Sequence, residues 1–270
     1  MFKRTFNSGL AATVLCASVL LSACGGGGGS GSSGGSASPA SSDGDATTLK
    51  AGLYKAKVLY LNGNPQQTAT IYLSPTGKFA AVFGGNSGLT LGNLDFANTR
   101  ITGTSSDYRQ PDPKGFFEDK GVEDGTITGT ITSQGSATFS TSDAKGQVDT
   151  NVTLQRQNAL SDLGISLGRA SGTYVASPDV FLNISSDGSL YAEHYTLETG
   201  CRFEGTDSVS VPDASINVFN ITYTMSNCND DNHNGEYSGV GFFGPAPDGR
   251  MQMIFAAHNG IVAMKFEGIK

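Results

Sequence analysis

The chain has 270 residues, a net charge of −7 with its histidines neutral, 37 glycines and no tryptophan. An acidic chain is a poor partner for nucleic acid and gains nothing from an anionic lipid surface. Glycine far above its usual share of about 7%, low charge and few long helix formers point away from helical bundles and towards β structure.

The first element is a leader. Lys3 and Arg4 form a short positive region, Leu10 to Leu21 is uncharged and mostly apolar, and Ser22 and Ala23 lead to Cys24. That order is a secretion signal over residues 1–23, with an apolar run too short for a comfortable membrane span. The four residues Leu21-Ser22-Ala23-Cys24 resemble the bacterial lipobox. In that family the cysteine is lipidated and becomes the first mature residue, so the resemblance implies a lipid on Cys24. An ordinary signal peptide with Cys24 incidental is the other reading.

Residues 24–49 read as a tether. From Gly25 to Asp45, sixteen of twenty-one residues are Gly or Ser, and such a chain cannot bury a core. Its root-mean-square reach is roughly 25 Å, from about 5–6 Å times the square root of its length. Three acyl chains, as the lipoprotein resemblance implies, exceed the two signals that stable anchoring needs. Gly25 stands where lipoproteins retained in the inner membrane of many Gram-negative bacteria carry Asp, so the resemblance favours the outer membrane, on its periplasmic or surface side. The poly-glycine leader is also similar to those of neisserial surface lipoproteins, over the first thirty residues only. Removing Lys3 and Arg4 with the leader leaves fifteen basic against twenty-four acidic side chains, net −9. No second run of eighteen apolar residues follows.

The body, read in steps of two, is a string of strands, and it reads as two tandem units. Residues 50–156 hold "AGLYKAKVLYL", "SPTGKFAAVF", "RITGTSSD", "DGTITGTITSQGSATFS" and "VTLQRQ". Residues 170–270 answer with "SGTYVAS", "SSDGSLYAEH", "RFEGTDSV", "GEYSGVGFFGPAPDGRMQMIF" and "VAMKFE". This pairing places Tyr54 with Tyr174 and Gly103 with Gly205, and duplication is the economical account. Asp187-Gly188 marks one hairpin and His258-Asn259-Gly260 another. In "INVFNITYTMS", Phe219, Ile221, Tyr223 and Met225 share one face, while Ile216 and Val218 have the other parity, which predicts a β-bulge near Val218. Between the units, 157–169 reads as a short helix or loop, with Ser161 before Asp162 as a candidate cap.

Strands joined by turns without alternating helices mean antiparallel meanders. The fold class is therefore all-β: two tandem antiparallel β-barrel or half-barrel domains after a disordered Gly/Ser tether, with two open sandwiches as the competing form.

Cys16 leaves with the leader and Cys24 takes the lipid, so Cys201 and Cys228 remain. An exported even pair predicts one disulfide, which the chain-entropy model values at roughly 3–4 kcal/mol. No C-x-x-C spacing supports a redox pair.

"SGTYVASPDVFLNISSDGSLYAE", "GCRFEGT", "INVFNITYTMSNC" and "GEYSGVGFF" together resemble a group of proteobacterial lipoproteins without an assigned activity. The likeness covers Ser171 to Phe243 well and the first unit loosely. It implies the fold and an envelope location, and no activity.

Candidate chemistry is sparse. Asp230, Asn232 and Asn234 before Gly235 reproduce the start of a calcium loop, but Gly241 stands where that loop needs its bidentate Glu. A polar hairpin loop is the simpler reading, and no metal or other cofactor is expected. His194, His233 and His258 lack zinc spacing. Glu118, Asp119, Glu123 and Asp124 offer carboxylates for acid–base work, yet in a loop rich in Gly and Lys they read as solvated. No G-x-S-x-G or other nucleophile motif is present, so an enzyme is not expected. Phe116 and Phe117, adjacent in a Pro-flanked polar segment, are candidates for an exposed binding loop, with burial on the barrel rim as the other reading.

The expectation is a membrane-anchored, non-enzymatic envelope lipoprotein that binds an envelope or host protein or serves structurally. The alternative is a small-ligand carrier using a barrel interior. Interior volume separates them: Phe, Met and Tyr are plentiful enough to fill a small barrel, whereas a cavity of several hundred Å³ favours the carrier.

Overall fold

The computed structural model describes residues 48–109, 111, 115–117, 124–177, 180–192 and 199–270. The first unit supplies β1 (Gly52–Tyr60), β2 (Gln67–Leu73), β3 (Lys78–Phe83), β4 (Gly88–Ala97), β5 (Arg100–Arg109), β6 (Phe116–Phe117), β7 (Asp124–Ser133), β8 (Ser136–Ser142) and β9 (Val148–Arg156). All of these but β6 pair antiparallel, each with its neighbour in turn, and β9 returns to β1 to close an eight-stranded barrel. Closure satisfies the backbone hydrogen bonds that an open edge would leave unpaired.

The second unit contains β10 (Gly172–Ser177), β11 (Val180–Ile184), β12 (Leu190–Tyr191), β13 (Arg202–Glu204), β14 (Val209–Ser210), β15 (Val218–Ser226), β16 (Gly235–Pro245), β17 (Met251–His258) and β18 (Ala263–Ile269). Its sheet runs β12-β11-β10-β18-β17-β16-β15-β13. Among the described residues the two end strands meet through one bridge, Leu190 to Gly205, so this sheet is a near-closed barrel.

Both barrels open with the same turn. In the first, Ser74 N–H donates to Lys78 O (2.8 Å), Gly77 N–H to Ser74 O (3.0 Å) and Leu94 N–H to Gly77 O (2.9 Å). In the second, the bonds are Ser185 to Ser189 (2.9 Å), Gly188 to Ser185 (3.0 Å) and Val209 to Gly188 (2.9 Å). Gly77 and Gly188 sit at φ 85° and 87°. A Cβ there would lie 2.3 Å from Leu94 O or 2.4 Å from Val209 O, so only glycine fits both the dihedral and the approach. Tyr54 and Tyr174 also match: each hydroxyl donates to the carbonyl four residues back, at Lys50 (2.5 Å) and Ala170 (2.8 Å). Gly205 is different from the expectation. It faces Leu190 as Gly92 faces Phe79, whereas Gly103 faces Leu94 on the next strand along. The expected pairing of Gly103 with Gly205 is therefore off by one strand, because the second unit breaks its fourth strand into β13 and β14.

The parity change at Val218 has another cause than a bulge. β15 pairs with β16 in unbroken register from Val218 to Met225. Phe219, Ile221, Tyr223 and Met225 face the interior of the second barrel, while Ile216 and Val218 face the first barrel. Both faces of this strand are buried, so both parities are apolar. The same holds on the facing wall: Leu53, Tyr72, Leu89, Leu91 and Tyr108 point outward from the first barrel into this shared core.

Residues 157–170 hold α1 (Asn158–Ser161) and α2 (Leu167–Ala170). Ser161 ends α1 and does not cap it. Its hydroxyl accepts from Leu53 N–H (2.9 Å) and donates to Gln157 O (2.8 Å). Ser166 is the capping residue, accepting from Arg169 N–H in α2. Among the described residues no helix is long and apolar enough to cross a membrane.

Candidate ligand-binding site

The two barrel interiors are filled differently. In the first, strand alternation points Tyr54, Leu73, Leu94, Ile101, Ile131 and Leu154 into one end, all buried. That end is floored by buried Leu49 and by the bond from Lys50 N–H to Gln134 O (2.8 Å). Towards the other end Tyr60 and Phe83 are large, but many of the inward positions are small: Ala69 on β2, Ala81 on β3, Thr90 on β4, Ser105 on β5, and Thr141 and Thr150 on β8 and β9. Large side chains at one end and many small ones at the other leave a cavity of about 510 Å³. Its middle wall is apolar, from Val58, Ile71, Phe79, Ile127, Phe139 and Val152, and its mouth carries Tyr60, Gln67, Asp107, Arg109 and Asp149. Pockets that hold small molecules have this size and this division between apolar wall and few polar groups.

The polar groups of the mouth are wired to one another. Thr90 Oγ1 donates to the Asp107 carboxylate. Thr141 Oγ1 donates to Asp149 Oδ1 (2.5 Å) and lies 2.6 Å from Thr150 Oγ1. Tyr60 Oη donates to Gln67 Oε1 (3.2 Å). Burial first, then the Asp107 carboxylate, raises the Tyr60 phenol above its ordinary value; Arg109 opposes this and Asp149 adds to it. The rim adds apolar surface. Leu61, about half exposed, donates its N–H to Asp149 O (2.9 Å), and Val148 beside Asp149 is also exposed.

The second interior is packed with rings. Phe203 lies on Tyr223 (centroids 4.3 Å apart), Tyr223 on Tyr237 (5.1 Å), Phe219 on Phe243 (4.4 Å) and Phe255 on Phe266 (5.5 Å). Such pairs add about 0.5–1.5 kcal/mol each beyond area burial. The expectation that aromatic and Met residues suffice to fill a barrel describes this unit, and the first unit departs from it.

The sequence candidates fall as follows. Cys24 lies outside the described residues, as do Glu118, Asp119, Glu123 and His194; Asp124 is exposed and accepts from Ser106 Oγ (2.9 Å). Cys201 and Cys228 are bonded, just beyond the point where Arg202 of β13 pairs with Ser226 of β15. Asp230, Asn232 and Asn234 shape a turn: Asp230 accepts from Asn232 N–H (2.9 Å) and Asn234 Oδ1 from Cys228 N–H (3.1 Å). Asn259 Nδ2 ties the same turn to the β17–β18 hairpin through Asn232 O and Asn234 O. Among the described residues no group of three or more His, Cys, Asp or Glu is gathered for a metal. Phe116 and Phe117 are buried and form β6, which pairs with β18 of the second unit, so neither ring is presented to solvent. His233 stacks on Phe116 (3.9 Å), and His258 Nδ1 lies 2.6 Å from Tyr108 Oη across the shared core.

Sequence reasoning missed Thr90, Asp107, Thr141, Asp149 and Thr150. Their signal was a run of small or polar residues at inward parity on consecutive strands, recognisable once the register is known.

No family model matches the chain, and no curated protein does. Among solved structures, Aeromonas veronii immune modulator A is similar at a TM-score of 0.36 and 12% identity, over 83% of this chain and 96% of that one.

Proposed function

We propose that this chain is a lipid-anchored, non-enzymatic protein of the bacterial envelope whose first barrel is a binding cup for a small amphipathic ligand. The cavity of about 510 Å³ carries this reading. That volume lies within the roughly 300–1,000 Å³ typical of small-molecule sites. The apolar wall suits a hydrocarbon body and the polar mouth a head group. The second barrel, filled by its own rings, is the solid body against which the cup is built.

The anchor is supported by the order of Leu21-Ser22-Ala23-Cys24 and the Gly/Ser tether, and Gly25 favours the outer membrane. A tether of this reach keeps the cup close to a bilayer, which is where amphipathic small molecules concentrate.

Uptake of the neutral dye N-phenylnaphthylamine by the full mature chain tests the cup. Saturable binding near one equivalent is expected. Ala81→Trp and, separately, Ala69→Phe place a large ring in the cavity and should weaken uptake at least about tenfold with the melting temperature kept within a few degrees. Equal uptake by the filled variants, or no saturable uptake by the natural chain, defeats the reading. For the anchor, labelled palmitate should enter the natural chain and not Cys24→Ser; an unlabelled natural chain in an exporting host removes the lipid from the proposal.

A further inference from the structure

The hydrogen-bond polarity of the mouth indicates what kind of head group fits it. A threonine hydroxyl has one proton and two lone pairs, and an ionised carboxylate only accepts. Thr141 gives its proton to Asp149, so the contact of 2.6 Å between Thr141 and Thr150 is made with the proton of Thr150. Thr150, itself buried, then faces the cavity with lone pairs. Thr90 is in the same position, because its proton is committed to Asp107. Tyr60 likewise directs its proton to Gln67. At Thr90, Thr150 and Tyr60 the hydroxyl protons are committed within the protein, so these hydroxyls have only lone pairs left to offer a ligand.

Charge points the same way. The described residues of the mouth hold two carboxylates, Asp107 and Asp149, against Arg109, whose side chain is on the exposed rim. The chain as a whole carries −7, which raises the local concentration of cations and lowers that of anions.

We infer that the first barrel selects an amphipathic cation: a ligand with an apolar body in the chamber and an amine or ammonium head that meets the lone pairs of Thr90 and Thr150 and the carboxylates of Asp107 and Asp149. This rests on the cup reading and sharpens it. A fatty acid is the disfavoured occupant, because its carboxylate would meet the lone pairs of Thr90 and Thr150 and the carboxylates of Asp107 and Asp149, and an unmatched acceptor taken from water costs about 1–3 kcal/mol.

Competition against bound N-phenylnaphthylamine separates the two levels of the argument. The probes are dodecyltrimethylammonium, dodecylamine and tetradecanoate, used below their micelle-forming concentrations with the full mature chain at low salt. The expected result is half-displacement by dodecylamine at a concentration about tenfold or more below that for tetradecanoate, with dodecyltrimethylammonium between them, since it keeps the charge and lacks N–H donors. Asp149→Asn frees the Thr141–Thr150 relay from its fixed direction and removes a charge, and should bring dodecylamine and tetradecanoate within about threefold of each other. Tetradecanoate displacing the dye as well as, or better than, dodecylamine from the natural chain overturns the cation assignment and leaves the cup standing. A preference unchanged in Asp149→Asn overturns the assignment of the selecting group. Absence of saturable dye uptake removes the cup itself, and the inference with it.

Discussion

Arg156 is the most demanding single residue of the fold. Its side chain is 1% exposed at the closed end of the first barrel. A buried guanidinium is tolerated only when its donors are matched. Nε donates to Ala51 O (2.9 Å), Nη1 to Asn158 Oδ1 (2.9 Å) and Asp162 Oδ2 (3.1 Å), and Nη2 to Asp162 Oδ1 (2.7 Å). The fork on Asp162 is the bidentate geometry in which Arg and carboxylate fit best. The Arg156 hydrogen bonds hold the Asp162 carboxyl down at about 2, with Lys50 assisting. The side chain of Asp162 is 40% exposed, so solvent screens part of the effect. Asp162→Asn should therefore cost about 1–2 kcal/mol, below the roughly 3–5 kcal/mol for breaking a fully buried pair. Because the folded value lies below the ordinary one, the contribution is fully present above the ordinary carboxylate range and fades as pH falls towards about 2. Denaturant melts of the two proteins should thus converge between pH 4 and about 2. A gap that stays constant over that interval means the carboxylate charge is not what holds Arg156.

At the scale of elements, what was legible in the sequence was local. The turns at 74–78 and 185–189 are fixed by glycines whose φ no other residue adopts easily, and the hairpin at His258-Asn259-Gly260 follows the same rule, with Gly260 at φ 88°. The even pair left once Cys16 and Cys24 are set aside made the Cys201–Cys228 disulfide readable. What failed to read was decided by distant partners. Val218 and Phe219 are both fully buried because β15 has a barrel on each side, and alternation alone assigns such a strand only one core. β6 is two residues long, and Phe117 pairs with Ala263 and Phe116 with Met264 on a strand well over a hundred residues later, so nothing near it in sequence marks it as sheet. Its adjacent rings do point to opposite faces as strand parity demands: Phe116 enters the core of the second barrel and Phe117 the core shared by both. Burying each contributes about 1.5–3 kcal/mol, which is what holds β6 against the second sheet. The cavity was hidden for a related reason. Aromatic residues are plentiful in the chain as a whole, but their distribution between the two interiors depends on register.

At the scale of the whole molecule, the two barrels share a core instead of sitting as beads on a string. Tyr72 stacks with Phe242 (centroids 6.1 Å apart), Lys78 Nζ donates to Ser238 Oγ (2.7 Å), and the Tyr108–His258 contact spans the same face. β6 reaches from the first unit into the sheet of the second, and Asn217 of the second accepts the linker by donating Nδ2 to Leu160 O (2.9 Å). His258 is half-buried there, and desolvation, followed by the nearby Lys78 charge, lowers its pKa, so this contact is made by a neutral ring. Units joined through continuous apolar surface unfold together, whereas units joined by a linker unfold apart. A single thermal transition is therefore expected, seen at one temperature by loss of dye from the cup and by loss of the aromatic signal of the second barrel. Phe242→Ala removes a ring from the shared core, and should cost about 3–5 kcal/mol while lowering both signals together. Two transitions in the natural chain, or a variant in which only the second barrel's signal moves, would show that the cup does not depend on the solid barrel for its shape. One shared transition would mean that the filled barrel is the structural support that lets the first keep an empty interior.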